Sequence, residues 1–196
     1  FISQNTKAVV MACNTASSVA YNKLKDIYKF PIFDVVTPSV DYAINISKTK
    51  KICVIGTNST INSKAYSTAL KKINDNCSII EIACPLFVPI IEEGWANTNI
   101  AIDIAKIYLN KFNNTKIDIL ILGCTHYPIM ADTILSVIPG HIQLVYSGET
   151  VGEQLNQNLN KEKKSNTGNA SKTTRFFVSD FPQKFDELGS RFLGRS

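Results

Sequence analysis

Two stretches of this sequence share one pattern, and together they decide the fold. Residues 7–15 read KAVVMACNT and residues 118–126 read DILILGCTH. In each, an apolar run typical of a buried strand leads through a small residue to a cysteine, and polar residues then open a helical pattern. Because ligands bind beyond the carboxyl ends of strands in parallel α/β sheets, the pattern places Cys13 and Cys124 where active sites form.

The rest of the chain alternates apolar runs with amphipathic stretches. The apolar runs predict strands at residues 8–12, 31–36, 51–56, 77–83, 117–122, 143–146 and 175–179. The amphipathic stretches predict helices at residues 17–28, 38–47, 62–73, 88–93, 99–112, 128–137, 147–160 and 182–193. Strands that are apolar on both faces and alternate with helices are typical of an α/β fold with largely parallel sheets. Because the two cysteine junctions are far apart in the sequence, we expect them in different sheets that face each other across a cleft.

Composition places the chain among ordinary globular proteins. Its 196 residues, 44% hydrophobic and 19% charged, suffice for one large domain or two small ones with a substantial core. No apolar run approaches the roughly 18 residues of a membrane-spanning helix. Part of the net charge of +5 lies in the polar stretch at residues 156–174, which we interpret as a solvated loop. The chain has no basic stripe with interleaved aromatic residues, which argues against nucleic-acid binding.

The five cysteines are odd in number and widely spaced, which indicates a reducing compartment rather than a disulfide scaffold. With no CxxC motif and only two histidines, we expect no structural zinc site. Cys53, Cys77 and Cys84 are interpreted as structural. Cys13 and Cys124 differ, because a cysteine at a helix N-terminus meets backbone N–H groups and the positive end of the helix dipole, and both favour the thiolate.

A pair of such thiols can carry out one kind of chemistry. On opposite faces of a planar intermediate, one thiolate removes a proton while the other thiol returns one, which is racemase or epimerase chemistry that requires no cofactor. The alternative is that each cysteine is only a small buried hydrophobe. The N–H groups at the same junctions, with Asn14, Thr15, Thr125 and His126, can hold the carboxylates of an anionic substrate.

The residues around both cysteines resemble the two signature motifs of the glutamate racemase family. Residues 12–17 read ACNTAS and residues 123–128 read GCTHYP. Further similarities are the IGT run at residues 55–57 with Thr60 and Tyr66, the CPLFVPIIEEG run at residues 84–94 and the closing segment at residues 176–193. The resemblance covers essentially the whole chain and is weakest in the polar stretch.

The resemblance implies cofactor-independent interconversion of L- and D-glutamate, which supplies D-glutamate for peptidoglycan. Cys13 and Cys124 match the two proton-transferring thiols, the first as base for D-glutamate and the second as base for L-glutamate. His126 matches the acid/base partner of Cys124. Glu92 matches a carboxylate that supports this histidine, and the adjacent Glu93 is the alternative.

Substrate-binding positions of the family match Asn14, Thr15, Thr125 and His126. Thr57 can hydrogen-bond the substrate or serve a structural role. The implied partner is glutamate, without nucleic acid, membrane, metal or cofactor. The resemblance also implies a cytoplasmic protein and allows a homodimer, which is common in the family.

The family fold consists of two pseudo-symmetric α/β lobes with mostly parallel sheets. The first lobe would be discontinuous, formed by residues 1–38 and 146–196, and residues 39–145 would form the second. Glutamate would lie between them, with Cys13 on one wall and Cys124 on the other.

The chain departs from the family at its beginning. The family opens with a strand and an Asp-Ser-Gly-Val-Gly-Gly-Leu run, whose Asp assists the first thiol, and neither precedes the Cys13 strand here. We therefore expect an N-terminally truncated family member, a first lobe without its opening strands and no more than trace racemase activity. Racemisation of aspartate or a hydantoin, an inactive fragment and a thiol hydrolase are the alternatives.

Overall fold

The chain folds into two parallel β-sheets with helices between the strands, and the computed structural model describes residues 2–4, 6–162 and 174–194. The strands are β1 (Val9–Met11), β2 (Ile32–Asp34), β3 (Lys51–Gly56), β4 (Ser78–Ala83), β5 (Ile119–Gly123) and β6 (Gln143–Tyr146). The α-helices are α1 (Asn14–Leu24), α2 (Val36–Ile46), α3 (Asn58–Asn62), α4 (Ala65–Ile73), α5 (Phe87–Glu92), α6 (Asn99–Leu109), α7 (Ala131–Val137), α8 (Ser147–Lys161) and α9 (Pro182–Phe192). Short 3₁₀ helices lie at Ile2–Gln4, Asn110–Asn114 and Tyr127–Met130.

The smaller sheet pairs β1 with β2 in parallel, with Val9 beside Ile32 and Met11 beside Asp34. Helix α1 connects the two strands, as a parallel pair requires. Cys13 lies between β1 and α1, where it is the N-cap residue of the helix. The strand–cysteine–helix junction predicted at Cys13 is therefore confirmed.

The larger sheet has the order β4-β3-β5-β6, and all of its neighbouring strands are parallel. All five residues of β5 are buried, and so are the last five of β3. Strands of this kind are apolar on both faces because helices cover the sheet from both sides. Helices α5, α6 and α7 contribute to the core on one side, and α2 and α4 to the core on the other. The predicted α/β class with parallel sheets is confirmed.

Two glycines at the ends of β3 and β5 let the central strands approach closely. Gly56 and Gly123 are register partners. A Cβ on Gly123 would lie 2.7 Å from the carbonyl oxygen of Ile55, and a Cβ on Gly56 would lie 3.3 Å from that of Gly123. No side chain fits at Gly123 without moving backbone, so the close approach of the two strands requires a glycine there.

Asp118, the charged exception in the apolar run before β5, organises the loop that follows α2. Its carboxylate accepts hydrogen bonds from the Ser47 hydroxyl at 2.8 Å and from the N–H groups of Lys48 and Thr49 at 2.6 and 2.9 Å. Burial alone would raise the pKa of Asp118, but these hydrogen bonds to the charged form outweigh burial and lower it. Asp118 therefore has a structural role, which is to hold the loop after α2.

Two of the predicted elements differ from the structure. The strand predicted at residues 175–179 is wrong: residues 174–178 form no strand, because no described strand lies beside them to complete a ladder, and their side chains are exposed. The helix predicted at residues 62–73 begins only at Ala65, as α4, and a separate short helix, α3, which was not predicted, precedes it. They are separated at Lys64, whose φ of 58° is left-handed and interrupts a right-handed helix.

The polar stretch at residues 156–174 is only partly a loop. Helix α8 continues to Lys161, and residues 163–173 lie outside the described residues. Within the described part of the chain, every helix is too short or too polar to cross a membrane.

We expect Gly123→Ala to lower the free energy of unfolding by about 1–3 kcal/mol, because the added methyl group must displace the backbone of β3. Gly152→Ala is the matched control, since nothing lies within 4 Å of its Cβ position in α8. The control should leave stability unchanged or raise it by up to about 1 kcal/mol. Urea denaturation of both variants checks the prediction, and equal stabilities would contradict the close approach at β5.

Candidate active site

Cys124 follows directly after β5 and is 6% exposed. The chain turns there, and the 3₁₀ helix that begins at Tyr127 and α7 then lead away from the sheet. The N–H groups of His126 and Tyr127 point at the sulfur and favour its charged form. Cys124 thus lies at a strand end beside backbone donors, as the sequence pattern predicts.

Cys124 begins a chain of three polar side chains. Its sulfur lies 3.9 Å from Nδ1 of His126, and Nε2 of the same imidazole lies 3.3 Å from Oε1 of Glu92, the last residue of α5. One ring nitrogen therefore faces the thiol and the other faces a carboxylate. The adjacent Glu93 is exposed beyond the end of α5, so Glu92 is the residue that the structure pairs with His126.

Burial raises the pKa of the Cys124 thiol to about 11, although the N–H groups of His126 and Tyr127 oppose this shift. The charge of Cys13 adds to the increase, so the two cysteines are close enough for their charges to interact. Near neutral pH, Cys124 is therefore a thiol that can give a proton. To take one, it must first pass its own proton to a neighbouring base.

Cys13 has a different environment. It is exposed, and its side chain makes no capping hydrogen bond to α1. Within the described residues, no side chain donates to or accepts from its sulfur. It is the N-cap residue of the 11-residue helix α1, beside the backbone N–H groups of the first turn. Among the described residues, the site therefore combines one buried thiol that has an acid/base neighbour with one exposed thiol that has none.

Asn14, the first residue of α1, is buried, and both polar atoms of its side chain form hydrogen bonds within the protein. Its Oδ1 accepts a 2.5 Å hydrogen bond from the hydroxyl of Tyr66, and its Nδ2 donates to Oγ of Ser147 at 3.3 Å. Burial raises the pKa of Tyr66, which keeps that hydroxyl a donor. Asn14 thereby ties the start of α1, next to Cys13, to α4 and α8.

Three threonine hydroxyls form a second tie beside the cysteine. The hydroxyl of Thr15 lies 2.9 Å from that of Thr57 and 3.1 Å from that of Thr60. Thr57 is the N-cap residue of α3, and its hydroxyl accepts from the N–H of Thr60. These contacts hold the N-termini of α1 and α3 against each other, so the predicted binding residues Thr15 and Thr57 do lie together.

Thr125 is exposed, and among the described residues its hydroxyl has no hydrogen-bond partner. Cys53, Cys77 and Cys84 are buried, as expected for structural cysteines. Within the described ranges, no three His, Cys, Asp or Glu side chains come together in a way that could hold a metal ion.

A cavity of about 690 Å³ lies between α1, α2 and α4 and is separate from the cysteines. Its lining includes Tyr21, Asp34 and Lys72. The Asp34 carboxylate already accepts hydrogen bonds from Val36 N–H and Thr37 N–H at the start of α2. Neither Cys13 nor Cys124 lines this cavity.

Sequence reasoning missed four residues that shape the site. Ser147 and Tyr66 hold Asn14, and Arg191 and Phe192 of α9 contact Glu92 and His126. Tyr66 had a signal, because it belongs to the family resemblance. Arg191 and Phe192 also lie in the segment at residues 176–193 that the resemblance covers, but nothing in their local sequence, or in that of Ser147, indicates that tertiary packing brings them to the site.

Comparisons with known proteins agree with this geometry. The family model described as Asp/Glu/Hydantoin racemase matches residues 2–153. A glutamate racemase of Sulfurihydrogenibium is 42% identical over 191 residues, which cover 97% of this chain and 70% of that protein. The chain belongs to the Asp/Glu racemase family.

Solved structures support the same assignment. The glutamate racemase of Francisella tularensis, determined in complex with D-glutamate, is 37% identical with a TM-score of 0.91 over all of this chain and 72% of that one. Glutamate racemase isoform RacE1 of Bacillus anthracis is 30% identical with a TM-score of 0.91, over 97% of this chain and 71% of that one. The chain is a glutamate racemase homologue, of the isomerase class, that spans about 70% of these relatives' length.

The two thiols of this racemase homologue should differ in their reactivity toward iodoacetamide. At pH 7, we expect Cys13 to be alkylated first because it is exposed, and Cys124 much more slowly because it is buried and its pKa is about 11. As the pH rises toward 11, labelling of Cys124 should become about tenfold faster with each pH unit, because only the thiolate reacts. Peptide mass spectrometry measures both rates, with Cys53 as the buried internal control.

Labelling of Cys124 as fast as that of Cys13 at pH 7 would contradict the burial and the raised pKa.

Proposed function

We propose that the site of this protein, when joined to the family's Asp-containing segment, interconverts L- and D-glutamate without a cofactor, using Cys13 and Cys124 as two bases on opposite faces of the substrate. The observation that carries the proposal is the contact chain from Cys124 through His126 to Glu92, beside a second strand-end cysteine. A thiol that has an acid/base neighbour can both take and give the proton of a carbon acid.

In the direction from L-glutamate, Cys124 first transfers its proton to Nδ1 of His126 and becomes the thiolate. The thiolate removes the proton from Cα, the electron pair remains on the substrate as a planar carbanion, and the Cys13 thiol protonates the opposite face. Glu92 balances the positive charge that His126 acquires. In the reverse direction, Cys13 is the base and Cys124 the acid.

Substrate binding is assigned to the N-terminus of α1. Its N–H groups can hold a carboxylate of glutamate, with the exposed Thr125 opposite. Since the side chains of Asn14, Thr15 and Thr57 bond to other protein groups in the structure, we propose that they shape this part of the site and contact substrate only on its open side. The Francisella relative, solved with D-glutamate, supports an amino-acid ligand of this size.

The lobe arrangement belongs to the same proposal. Residues 1–38 and 146–196 would form one lobe and residues 39–145 the other, in pseudo-symmetric relation, with glutamate between them. The two separate sheets support this division. A cytoplasmic location, a homodimer and a supply of D-glutamate to peptidoglycan follow from the family.

We assign glutamate rather than aspartate as the substrate because the chain is more similar in sequence to glutamate racemases than to an aspartate racemase. The aspartate racemase of Picrophilus torridus is 21% identical with a TM-score of 0.61, a likeness that concerns the fold alone. The glutamate racemases reach 42% identity. An inactive chain is the second candidate, and the exposed Cys13, without a side-chain partner among the described residues, favours it.

The direct test is circular dichroism of L-glutamate incubated with the 196-residue chain and with a version that carries the upstream Asp-containing segment of the family. We expect loss of the L-glutamate signal with the longer protein and no more than trace activity with the chain alone. Failure of the longer protein would contradict the glutamate assignment. Full activity of the 196-residue chain would contradict the need for an upstream Asp.

His126→Asn should affect only the proton transfer at Cys124. Because the equilibrium between enantiomers is 1:1, kcat/KM must fall equally in both directions, by about 10²–10⁴-fold for one general acid/base. The primary isotope effect separates the two steps. The isotope effect should rise with Cα-deuterated L-glutamate, because the slowed step at Cys124 breaks the C–D bond. It should fall with Cα-deuterated D-glutamate, because Cys13 breaks the C–D bond there and the slowed step comes later. Equal changes with both substrates would count against the assignment of His126 to one thiol.

A further inference from the structure

We propose that Arg191 and Phe192 of the closing helix α9 are positioning residues that hold the Glu92–His126 pair in place for proton transfer at Cys124. This inference rests on the proposed racemase function. It assigns α9 a specific role in one of the two proton transfers.

Arg191 completes the hydrogen bonding at the end of α5. A helix ends with carbonyl groups that lack partners inside the helix. The turn through Gly94, whose φ is +80°, satisfies several of them, since Glu93, Gly94 and Trp95 donate to Pro89, Ile91 and Ile90 respectively. The carbonyl of Glu92 instead accepts a 2.7 Å hydrogen bond from Nη1 of Arg191.

The guanidinium fits this position closely. A Cβ on Gly94 would lie 3.1 Å from Nη1 of Arg191, so the arginine occupies the space that the missing side chain leaves. A second bond, from Nη2 to Oε1 of Glu187 at 3.1 Å, steadies the guanidinium from within α9. A cation is also favourable at a helix C-terminus, where the dipole is negative. Arg191 therefore fixes the backbone of the residue whose carboxylate faces His126.

Phe192 contacts the other member of the pair. Its ring meets the imidazole of His126 edge to face, with centroids 5.2 Å apart and planes at 88°. The His126 ring is thus held between the thiol on Nδ1, the carboxylate on Nε2 and this aromatic ring. Neighbouring residues of one helix therefore contact both members of the pair.

In the proposed mechanism, these contacts affect only one of the two proton transfers. In the described structure they reach Glu92 and His126, and no hydrogen bond, ion pair or ring contact joins α9 to Cys13. Loosening α9 should therefore slow proton transfer at Cys124 and leave the transfer at Cys13 unchanged. The groups at the start of α1 that bind substrate in the proposed function should also be unaffected.

The experiment compares Arg191→Ala with Arg191→Lys and with Lys184→Ala, in the version that racemises glutamate. Lysine keeps a donor for the Glu92 carbonyl, and Lys184→Ala removes a cation from α9 that has no partner in the described structure. For Arg191→Ala we expect kcat to fall about 10- to 10²-fold, the loss typical of slight misplacement, with KM little changed. The isotope effect should rise with Cα-deuterated L-glutamate and fall with the D-enantiomer.

Lys184→Ala should behave as wild type, and Arg191→Lys should recover most of the rate. Phe192→Leu, which removes the ring contact and keeps an apolar side chain, should shift the isotope effects in the same direction as Arg191→Ala. Isotope effects that stay at the wild-type values in Arg191→Ala and Phe192→Leu would overturn the inference and leave the racemase function intact.

Hydrogen exchange tests the contact independently of activity. The amides of Glu93, Gly94 and Trp95 should exchange faster in Arg191→Ala than in Lys184→Ala. Unchanged exchange would overturn the inference. Failure of the longer protein itself to racemise glutamate would instead contradict the proposed function, and faster exchange in Arg191→Ala would then still support docking of α9 through Arg191.

Discussion

The close approach of β3 and β5 at Gly56 and Gly123 is the constraint on which the site depends. The two strands are parallel register partners there, and the carbonyl of Ile55 leaves no room for a side chain on Gly123. Both strands therefore end side by side at one edge of the sheet. Thr57 follows one of them and Cys124 the other, so a helix cap and a buried thiol are delivered to the same edge by backbone geometry alone.

The two cysteines have unlike surroundings. Cys124 is buried, which raises its pKa, and it depends on His126 and Glu92 to exchange a proton. Cys13 is exposed at the N-terminus of α1, and no described side chain bonds to its sulfur. A reaction that uses both must therefore supply each thiol with its protons by a different route. The ties from Asn14 and Thr15 keep the start of α1 in register with α3, α4 and α8.

Much of the fold could be predicted from the sequence, because apolar runs that end in small residues mark buried parallel strands. The position of Cys124 at the end of β5 and the pairing of Glu92 with His126 agree with the sequence-based expectations. The break at Lys64 could not be predicted, since a lysine gives no signal of left-handed backbone. The strand expected at residues 175–179 failed because a local pattern does not say whether a neighbouring strand exists. The contacts of α9 with the site depend on tertiary docking and have no local signature.

The most direct test of the two-base account is the conversion of L-glutamate in D₂O, followed by NMR or mass spectrometry during the first few per cent of the reaction. If Cys124 removes the proton and Cys13 returns one from solvent, the D-glutamate formed carries deuterium at Cα while the remaining L-glutamate does not. Deuterium that enters the remaining L-glutamate as fast as the product would mean that a single base serves both faces, and would contradict the account.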